Sequence, residues 1–302
     1  MRLFLLSTVS TAALIAVAVP AMAGDNMTGV AGASVGFGST SNNPLMDDPT
    51  IYNLGGKGYW TLSPDVHLQA DVFYEHTSGL VLDNPSIFDG ADSSLVGGAI
   101  HLLHPVDNRA RVGIVGSIWN VDVLPIENFK FDKTYGLAAL EGQFFGTDWT
   151  LTAQGGFISS FDNSANGGEG DVFVDSGTYL RGEAKYFLYD NTAVSLETTQ
   201  LWGKIGSGGP FQEKSLTSSR WVFEIEHKFD DSPFAGIVSF DQEHDTTDLF
   251  GGADVTTASV GVKFYLDQPT LKSNDRTGAE LDTPNFGRAL GGASAITFGN
   301  VF

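Results

Sequence analysis

The chain contains no cysteine, few basic residues and, beyond its first residues, no long apolar run. Without cysteine no disulfide can stabilise an exported domain. Burial of apolar side chains or a closed hydrogen-bonded architecture must therefore stabilise the fold. After residue 23 no apolar run reaches the ~18 residues that a membrane-spanning helix needs. Lysine and arginine number 16 against 36 aspartates and glutamates, a formal net charge of −20. A negative field of this size argues against nucleic acid and anionic lipid headgroups as partners.

Residues 1–23 have the features of a secretory signal peptide. Arg2 supplies the positive start, an apolar stretch follows, and Pro20 precedes the small-residue sequence "AMA". This arrangement is typical of a bacterial segment that is cleaved after export. We therefore predict that the mature chain begins at Gly24. A retained N-terminal membrane anchor is the alternative.

Alternation of apolar and polar residues with period two is the dominant pattern in the rest of the chain. In "VHLQADVFYE", residues 66–75, Val66 and Leu68 fall on one face while His67 and Gln69 fall on the other. Such alternation is typical of β-strands with one apolar and one polar face. Twelve strands are predicted, at about 29–39, 51–62, 66–77, 93–104, 110–119, 133–145, 148–159, 177–188, 191–203, 219–229, 233–244 and 255–266.

The predicted connections between these strands alternate in length. Short ones lie at 63–65, 105–109, 146–147, 189–190 and 230–232, and long ones at roughly 40–50, 78–92, 120–132, 160–176, 204–218 and 245–254. Outer-membrane barrels have tight periplasmic turns and long external loops, and each strand needs ~9–11 residues to cross the bilayer. A soluble β-sandwich does not require this regularity.

On these features residues 24–266 resemble a Gram-negative outer-membrane β-barrel of the porin-like class, without matching one named family. The resemblance implies an all-β, transmembrane, antiparallel up-and-down barrel of about twelve strands. The last strand carries a polar, glycine, aromatic and apolar pattern at Ser259, Gly261, Phe264 and Leu266. This pattern is similar to the signal that hands such barrels to their insertion machinery.

The barrel is expected to close at Leu266, because a thirteenth strand at 294–302 would give an odd count. Residues 267–302, rich in polar and turn residues, are then predicted to form a flexible periplasmic extension. A plug that folds back into the barrel, or a contact with peptidoglycan, is the alternative.

Aromatic residues mark both predicted membrane interfaces. Outward-facing rings near the short turns are Trp60, Phe144, Trp149, Tyr186, Phe229, Phe234 and Phe264, and those near the long loops are Tyr74, Phe157, Trp221 and Phe240. Two such bands are the girdles expected of a membrane barrel. Four other rings, those of Phe73, Tyr135, Tyr179 and Tyr265, are predicted to point inward and narrow the bore.

The polar face of the strands would line the barrel interior. The candidate pore-lining residues are Lys57, Asp71, Glu75, Glu141, Arg181, Glu183, Lys185, Glu197, Glu224, Glu226, Lys228, Asp241 and Lys263. Acids outnumber bases among them, which favours a passive, mildly cation-preferring channel for small polar solutes. Mutual pairing of Arg181, Lys185, Glu197, Glu224 and Lys228 on neighbouring strands, which would fill the lumen, is equally compatible with the pattern, since twelve strands lie between filled and open barrels. The alternative function is a closed structural or surface-interaction barrel whose loops bind a partner or lipopolysaccharide.

No enzyme, cofactor or metal site is predicted. The G-x-S-x-G match at 32–36 lies inside a strand, where a nucleophile elbow cannot form. His101 and His104 fall on opposite strand faces and make a poor start for metal ligation. The expected partners are outer-membrane lipid, lipopolysaccharide and the barrel-insertion machinery, and the expected location is the bacterial outer membrane.

Overall fold

The protein folds as a closed barrel of twelve strands. The computed structural model describes residues 27–41, 48–80, 91–126, 129–161, 174–205, 214–248, 251–284 and 286. The strands are β1 (Met27–Ser41), β2 (Thr50–Ser63), β3 (Val66–Leu80), β4 (Ala91–Asp107), β5 (Ala110–Ile126), β6 (Phe129–Phe145), β7 (Trp149–Ser160), β8 (Val174–Tyr189), β9 (Thr192–Ile205), β10 (Lys214–Lys228), β11 (Phe234–Thr247) and β12 (Gly251–Leu266). The predicted signal peptide lies outside the described residues.

Each strand pairs antiparallel with its neighbours in sequence, and β12 closes the barrel against β1. The closing register places Gly29 opposite Leu266 and Ser41 opposite Asp254. Closure satisfies backbone groups that could find no water inside a bilayer. The predicted all-β, antiparallel, twelve-strand barrel and its closure at Leu266 are confirmed.

The period-two pattern separates the two faces of the wall. In β8, Leu180 is 59% exposed on the outside while neighbouring Arg181 is 3% exposed on the inside. Successive side chains of a strand point to opposite faces, so each strand repeats this division. The exposed outer band is apolar, with Val72, Ile100, Ile114, Ile118, Leu140, Leu151, Leu196, Phe223, Ile225, Val238, Val260 and Val262.

The outward aromatic residues lie as the sequence predicts. Exposed rings include those of Phe144, Trp149, Tyr186, Phe229, Phe234, Phe157, Trp221 and Phe240. At the short-turn end the rings of Phe144 and Trp149 have centroids 5.6 Å apart, and those of Phe234 and Phe264 are 5.4 Å apart. Bulky rings at the ends of the strands fit the interfacial girdles of membrane barrels.

The two ends of the barrel differ, although less regularly than the sequence predicts. The proximal end carries the turns at 64–65, 108–109, 146–148, 190–191 and 229–233, and the opposite end is called distal here. Two predicted long loops, 120–132 and 245–254, are mostly strand: β5 and β6 pair as far as Ile126 and Phe129, and β11 and β12 pair as far as Thr247 and Gly251. Strict alternation of loop length was therefore wrong, because strands continue past the apolar band that the pattern detects.

The segment after β12 departs from a flexible extension. Asp267 adopts φ 59°, a left-handed conformation that aspartate tolerates better than most residues, directly after the last strand. A seven-residue helix, α1 (Leu271–Thr277), follows, and Thr270 and Ser273 form a reciprocal capping box at its start. Residues 271–284 and Phe286 contact inward-facing side chains of the wall, as described below. Among the residues that the structure describes, no helix is long and apolar enough to cross a membrane.

Candidate functional site in the barrel lumen

The candidate pore-lining residues all lie on the inner face of the wall. The most buried are Asp71, Glu75, Glu141, Arg181, Glu226, Lys228 and Asp241, whereas Lys57, Glu183, Lys185, Glu197, Glu224 and Lys263 keep some exposure. A segment that follows β12 contacts the inner faces of several strands. The sequence analysis predicted this segment to be a flexible periplasmic extension. We call residues 267–286 the tail segment.

The start of the tail segment is tied to the proximal turns. The Lys272 amide donates to the Asp190 carbonyl at 3.0 Å, and its ammonium group lies 2.8 Å from Asp148. The hydrogen bond with Asp148 raises the pKa of Lys272, and the charges of Asp148 and Asp190 act in the same direction. Deeper inside, the Thr150 hydroxyl donates to Asp275 at 2.5 Å. Helix α1 therefore lies across the proximal mouth.

Beyond α1, two carboxylates of the tail segment bind lysines on opposite parts of the wall. Glu280 accepts a hydrogen bond from Lys185 of β8, and Asp282 accepts one from Lys57 of β2. The intervening Leu281 carbonyl accepts from the Gln69 amide at 2.7 Å. Side-chain and backbone groups of the tail segment are thus both recognised, which fixes its register in the lumen.

Arg181 is the centre of a charged cluster at mid-height. Its Nη2 lies 2.7 Å from Glu197, 3.0 Å from Glu183 and 3.4 Å from Asp282. Carboxylate oxygens of these three acids lie within 4.8 Å of one another, a spacing at which they could hold a metal ion. A guanidinium already lies among them, so the cluster is better explained as an ion-pair network.

A second ion-pair group is formed by side chains of β10 and β12. Lys263 donates to Glu224 at 3.1 Å and to Glu226 at 2.9 Å, and Tyr265 also donates to Glu226. Of the five charges whose mutual pairing is the sequence-based alternative, Arg181 and Glu197 pair with each other, whereas Glu224 pairs with Lys263. Lys228 instead donates to the Pro269 carbonyl of the tail segment at 3.0 Å.

A third polar group is centred on a histidine to which the sequence analysis assigned no role. His101 is fully buried, with Nδ1 2.9 Å from Glu141 and Nε2 3.1 Å from Asp71. A neutral imidazole has only one N–H, whereas both nitrogens here face a carboxylate, so the geometry favours the doubly protonated ring. Thr283 of the tail segment lies 3.2 Å from Nε2 and donates to Asp71 at 3.0 Å.

One part of the distal lumen is apolar, whereas charged side chains such as Lys133, Glu243 and Asp245 are buried elsewhere in the same half. The buried apolar cluster comprises Leu95, Ala99, Val115, Trp119, Val121, Tyr135, Leu137, Ala139, Ile158, Val174, Tyr179, Leu201, Leu216 and Phe286, with Phe73 packed against it. Phe286, from the tail segment, lies 5.2 Å from the Tyr179 ring and 6.5 Å from the Trp119 ring. The predicted inward direction of Phe73, Tyr135, Tyr179 and Tyr265 is confirmed.

Free space remains beside the tail segment. A cavity of about 310 Å³ is lined by groups of the wall and of the tail segment, among them Lys57, Lys185, Lys263, Glu197, Glu280 and Asp282. It lies between the glycine-containing inner faces of β1 and β2 and the charged faces of β8, β10 and β12. The lumen is thus obstructed but incompletely filled.

The sequence missed the residues that connect the wall to the tail segment. These are His101, Asp275, Glu280, Leu281, Asp282, Thr283 and Phe286. Alternation along β4 places His101 inward with Ala99 and Leu103, which was a usable signal. No sequence pattern gives the register of residues 280–286 against strands more than 70 residues away. Of the predicted insertion signal, Ser259 and Gly261 lie on inward positions of β12, and Phe264 and Leu266 on outward ones; its role stays a prediction.

Comparison with known proteins supports the fold. No protein-family model matches the chain, and no curated protein matches it. Among solved structures, the COG4313 outer membrane channel from Pseudomonas putida F1 is similar over 80% of this chain and 95% of its own, with a TM-score of 0.54 and 11% identity. At this identity the likeness shows the fold alone, which is that of an outer-membrane β-barrel.

Two further structures match with lower scores. The translocator domain of the autotransporter NalP from Neisseria meningitidis covers 85% of this chain and 97% of its own, at 10% identity and a TM-score of 0.45. The KdgM porin covers 77% of this chain and 98% of its own, at 10% identity and a TM-score of 0.41. Both are outer-membrane barrels, and neither score is high enough to carry an argument about function.

Proposed function

We propose that the protein is an outer-membrane diffusion channel for small polar solutes, closed in the present conformation by its own tail segment. The observation that carries this proposal is the docking of residues 280–283 against charged side chains of the lumen. The apolar outer band and the fold favour the outer membrane as its location. Export by a cleaved signal peptide and delivery by the barrel-insertion machinery are parts of the same proposal.

The contact of Asp282 with the wall suits a movable obstruction better than a permanent core. Asp282 has a side chain that is 47% exposed, and the pair it forms with Lys57 borders the cavity. Ion pairs with this much water access contribute about 0–1 kcal/mol each, because solvent screens them. Moving residues 280–283 aside would enlarge the cavity, because Glu280, Asp282 and Thr283 line it.

Conductance in planar bilayers tests the channel. The full-length protein should show rare openings, and the double variant Glu280→Gln/Asp282→Asn should open about tenfold more often, since losing the ion pairs with Lys57, Arg181 and Lys185 costs roughly 1–2 kcal/mol. Asp65→Asn/Asp230→Asn is a matched control, because it removes two exposed carboxylates of proximal turns while leaving the lumen charges and the Lys272–Asp148 contact intact. A silent wild type together with a silent Glu280→Gln/Asp282→Asn variant would refute the proposal.

A mild cation preference is proposed for the open state. Carboxylates outnumber basic groups among the candidate pore-lining residues, and Glu224 and Glu226 both pair with Lys263, which lines the cavity. Replacing both glutamates with glutamine should shift the reversal potential in a salt gradient toward anions. An unchanged reversal potential would remove Glu224 and Glu226 from the conduction path.

The second candidate function is a closed barrel that acts through its external loops, by binding a partner or lipopolysaccharide. The occupied lumen favours this reading as well, because a structural barrel needs no path for solutes. The two functions differ in one measurement. Openings that increase when the tail carboxylates are neutralised favour the channel, whereas an absence of current at every voltage in both proteins favours the closed barrel.

A further inference from the structure

An aromatic pocket in the distal lumen suggests what kind of solute the channel recognises. The pocket is formed by Phe73, Trp119, Tyr135 and Tyr179 and is occupied by Phe286. These side chains project inward from β3, β5, β6 and β8. Closer to the proximal end, the inner faces of the same strands are polar. A simple water-filled path would not require a buried aromatic surface there.

The wall is shaped to accommodate these rings. Gly97 of β4 lies opposite Trp119 in the sheet, and a Cβ at that position would lie 2.5 Å from the Trp119 Cβ and 2.8 Å from the Phe73 ring. Any larger residue would displace one of the two. The glycine therefore allows the indole and the phenyl ring to lie side by side on the inner face.

One polar group of the pocket has no partner among the described residues. The Trp119 side chain is buried, and its indole N–H lacks an acceptor in the described part of the chain. A buried donor without a partner costs about 1–3 kcal/mol. A phenylalanine ring cannot supply a conventional acceptor, so Phe286 fills the pocket sterically without satisfying this donor.

We propose that this pocket binds a small solute with one aromatic ring and a hydrogen-bond acceptor. The ring of the solute takes the position of Phe286, and its acceptor receives the Trp119 N–H. The inference rests on the proposed channel function, in which the tail segment moves to open the lumen. The same movement withdraws Phe286 from the pocket. Solute and Phe286 therefore compete for one site, and the apparent affinity is reduced by the fraction of time that Phe286 is bound.

Binding of two fluorinated probes to the full-length protein in detergent tests the proposal by ¹⁹F NMR. Methyl 4-fluorobenzoate carries a ring and an acceptor, and 4-fluorotoluene carries a ring alone. Phe286→Ala should bind both probes at least about tenfold more tightly than the wild type, because apolar cavities of ring size accept such ligands. Phe157→Ala is the matched control: it removes an outward ring that is 69% exposed and should behave as wild type.

The Trp119→Phe variant tests the hydrogen bond. In the Phe286→Ala background it should weaken methyl 4-fluorobenzoate about five- to tenfold and leave 4-fluorotoluene within about twofold. Equal weakening of both probes, or no tighter binding by Phe286→Ala than by Phe157→Ala, would overturn the proposal. Phe286→Leu provides a second variant if Phe286→Ala fails to fold. Because binding is measured without ion flow, its outcome is independent of whether the barrel conducts.

Discussion

A full-length barrel whose tail segment is cross-linked to β7 should stop conducting, and reduction of the cross-link should restore its openings. Thr150 and Asp275 suit this experiment because their side chains form a hydrogen bond of 2.5 Å between the wall and α1. The chain has no cysteine, so Thr150→Cys/Asp275→Cys introduces the only two thiols. Oxidation, or a short thiol-specific cross-linker, would hold the obstruction in place. The open probability should fall by at least about tenfold.

A matched cross-link within the wall distinguishes closure by the tail segment from general damage. Ser219 of β10 and Gln200 of β9 lie opposite one another, and the serine donates to the amide oxygen at 2.5 Å on the outer face. The Ser219→Cys/Gln200→Cys pair should leave the openings unchanged after oxidation. Openings that persist after complete cross-linking of 150 to 275 would show that α1 need not leave the proximal mouth for conduction.

Replacing His101 with glutamine should destabilise the barrel strongly. His101 lies between the buried carboxylates of Asp71 and Glu141, whose side chains are 4% and 1% exposed. Removing the cation of a buried ion-pair network costs about 3–5 kcal/mol, because the remaining charges stay buried without compensation. The expected result is a lower temperature for the shift from the folded to the unfolded band in a heat-modifiability gel.

Two further variants separate charge from packing in this prediction. His104→Gln changes a histidine on the outer face three residues away, and it should leave the transition temperature unchanged. His101→Gln/Glu141→Gln removes one of the two uncompensated charges and should recover part of the loss. A transition temperature equal to that of wild type would show that the histidine does not hold these acids together.

The alternation of side chains allowed the wall to be predicted in detail. Twelve strands, the closing pair β1 and β12, and the inward positions of residues such as Arg181 and Lys263 all follow from a period of two, which depends only on local backbone geometry. The lengths of the β5–β6 and β11–β12 connections were overestimated. Beyond the apolar band, apolar and polar residues no longer alternate, although the strands continue to pair. The pattern therefore could not predict where these strands end.

The contents of the lumen were beyond the reach of any local pattern. Glu280, Asp282 and Phe286 belong to a polar stretch whose composition resembles a linker, and its partners lie in β2, β3, β5 and β8. Local backbone geometry encodes which face of a strand is apolar, and from that the closed cylinder follows. Whether residues 271–284 and Phe286 stay outside or enter the cylinder depends on matching charges and rings between residues far apart in sequence. Only the folded barrel brings those groups within contact distance.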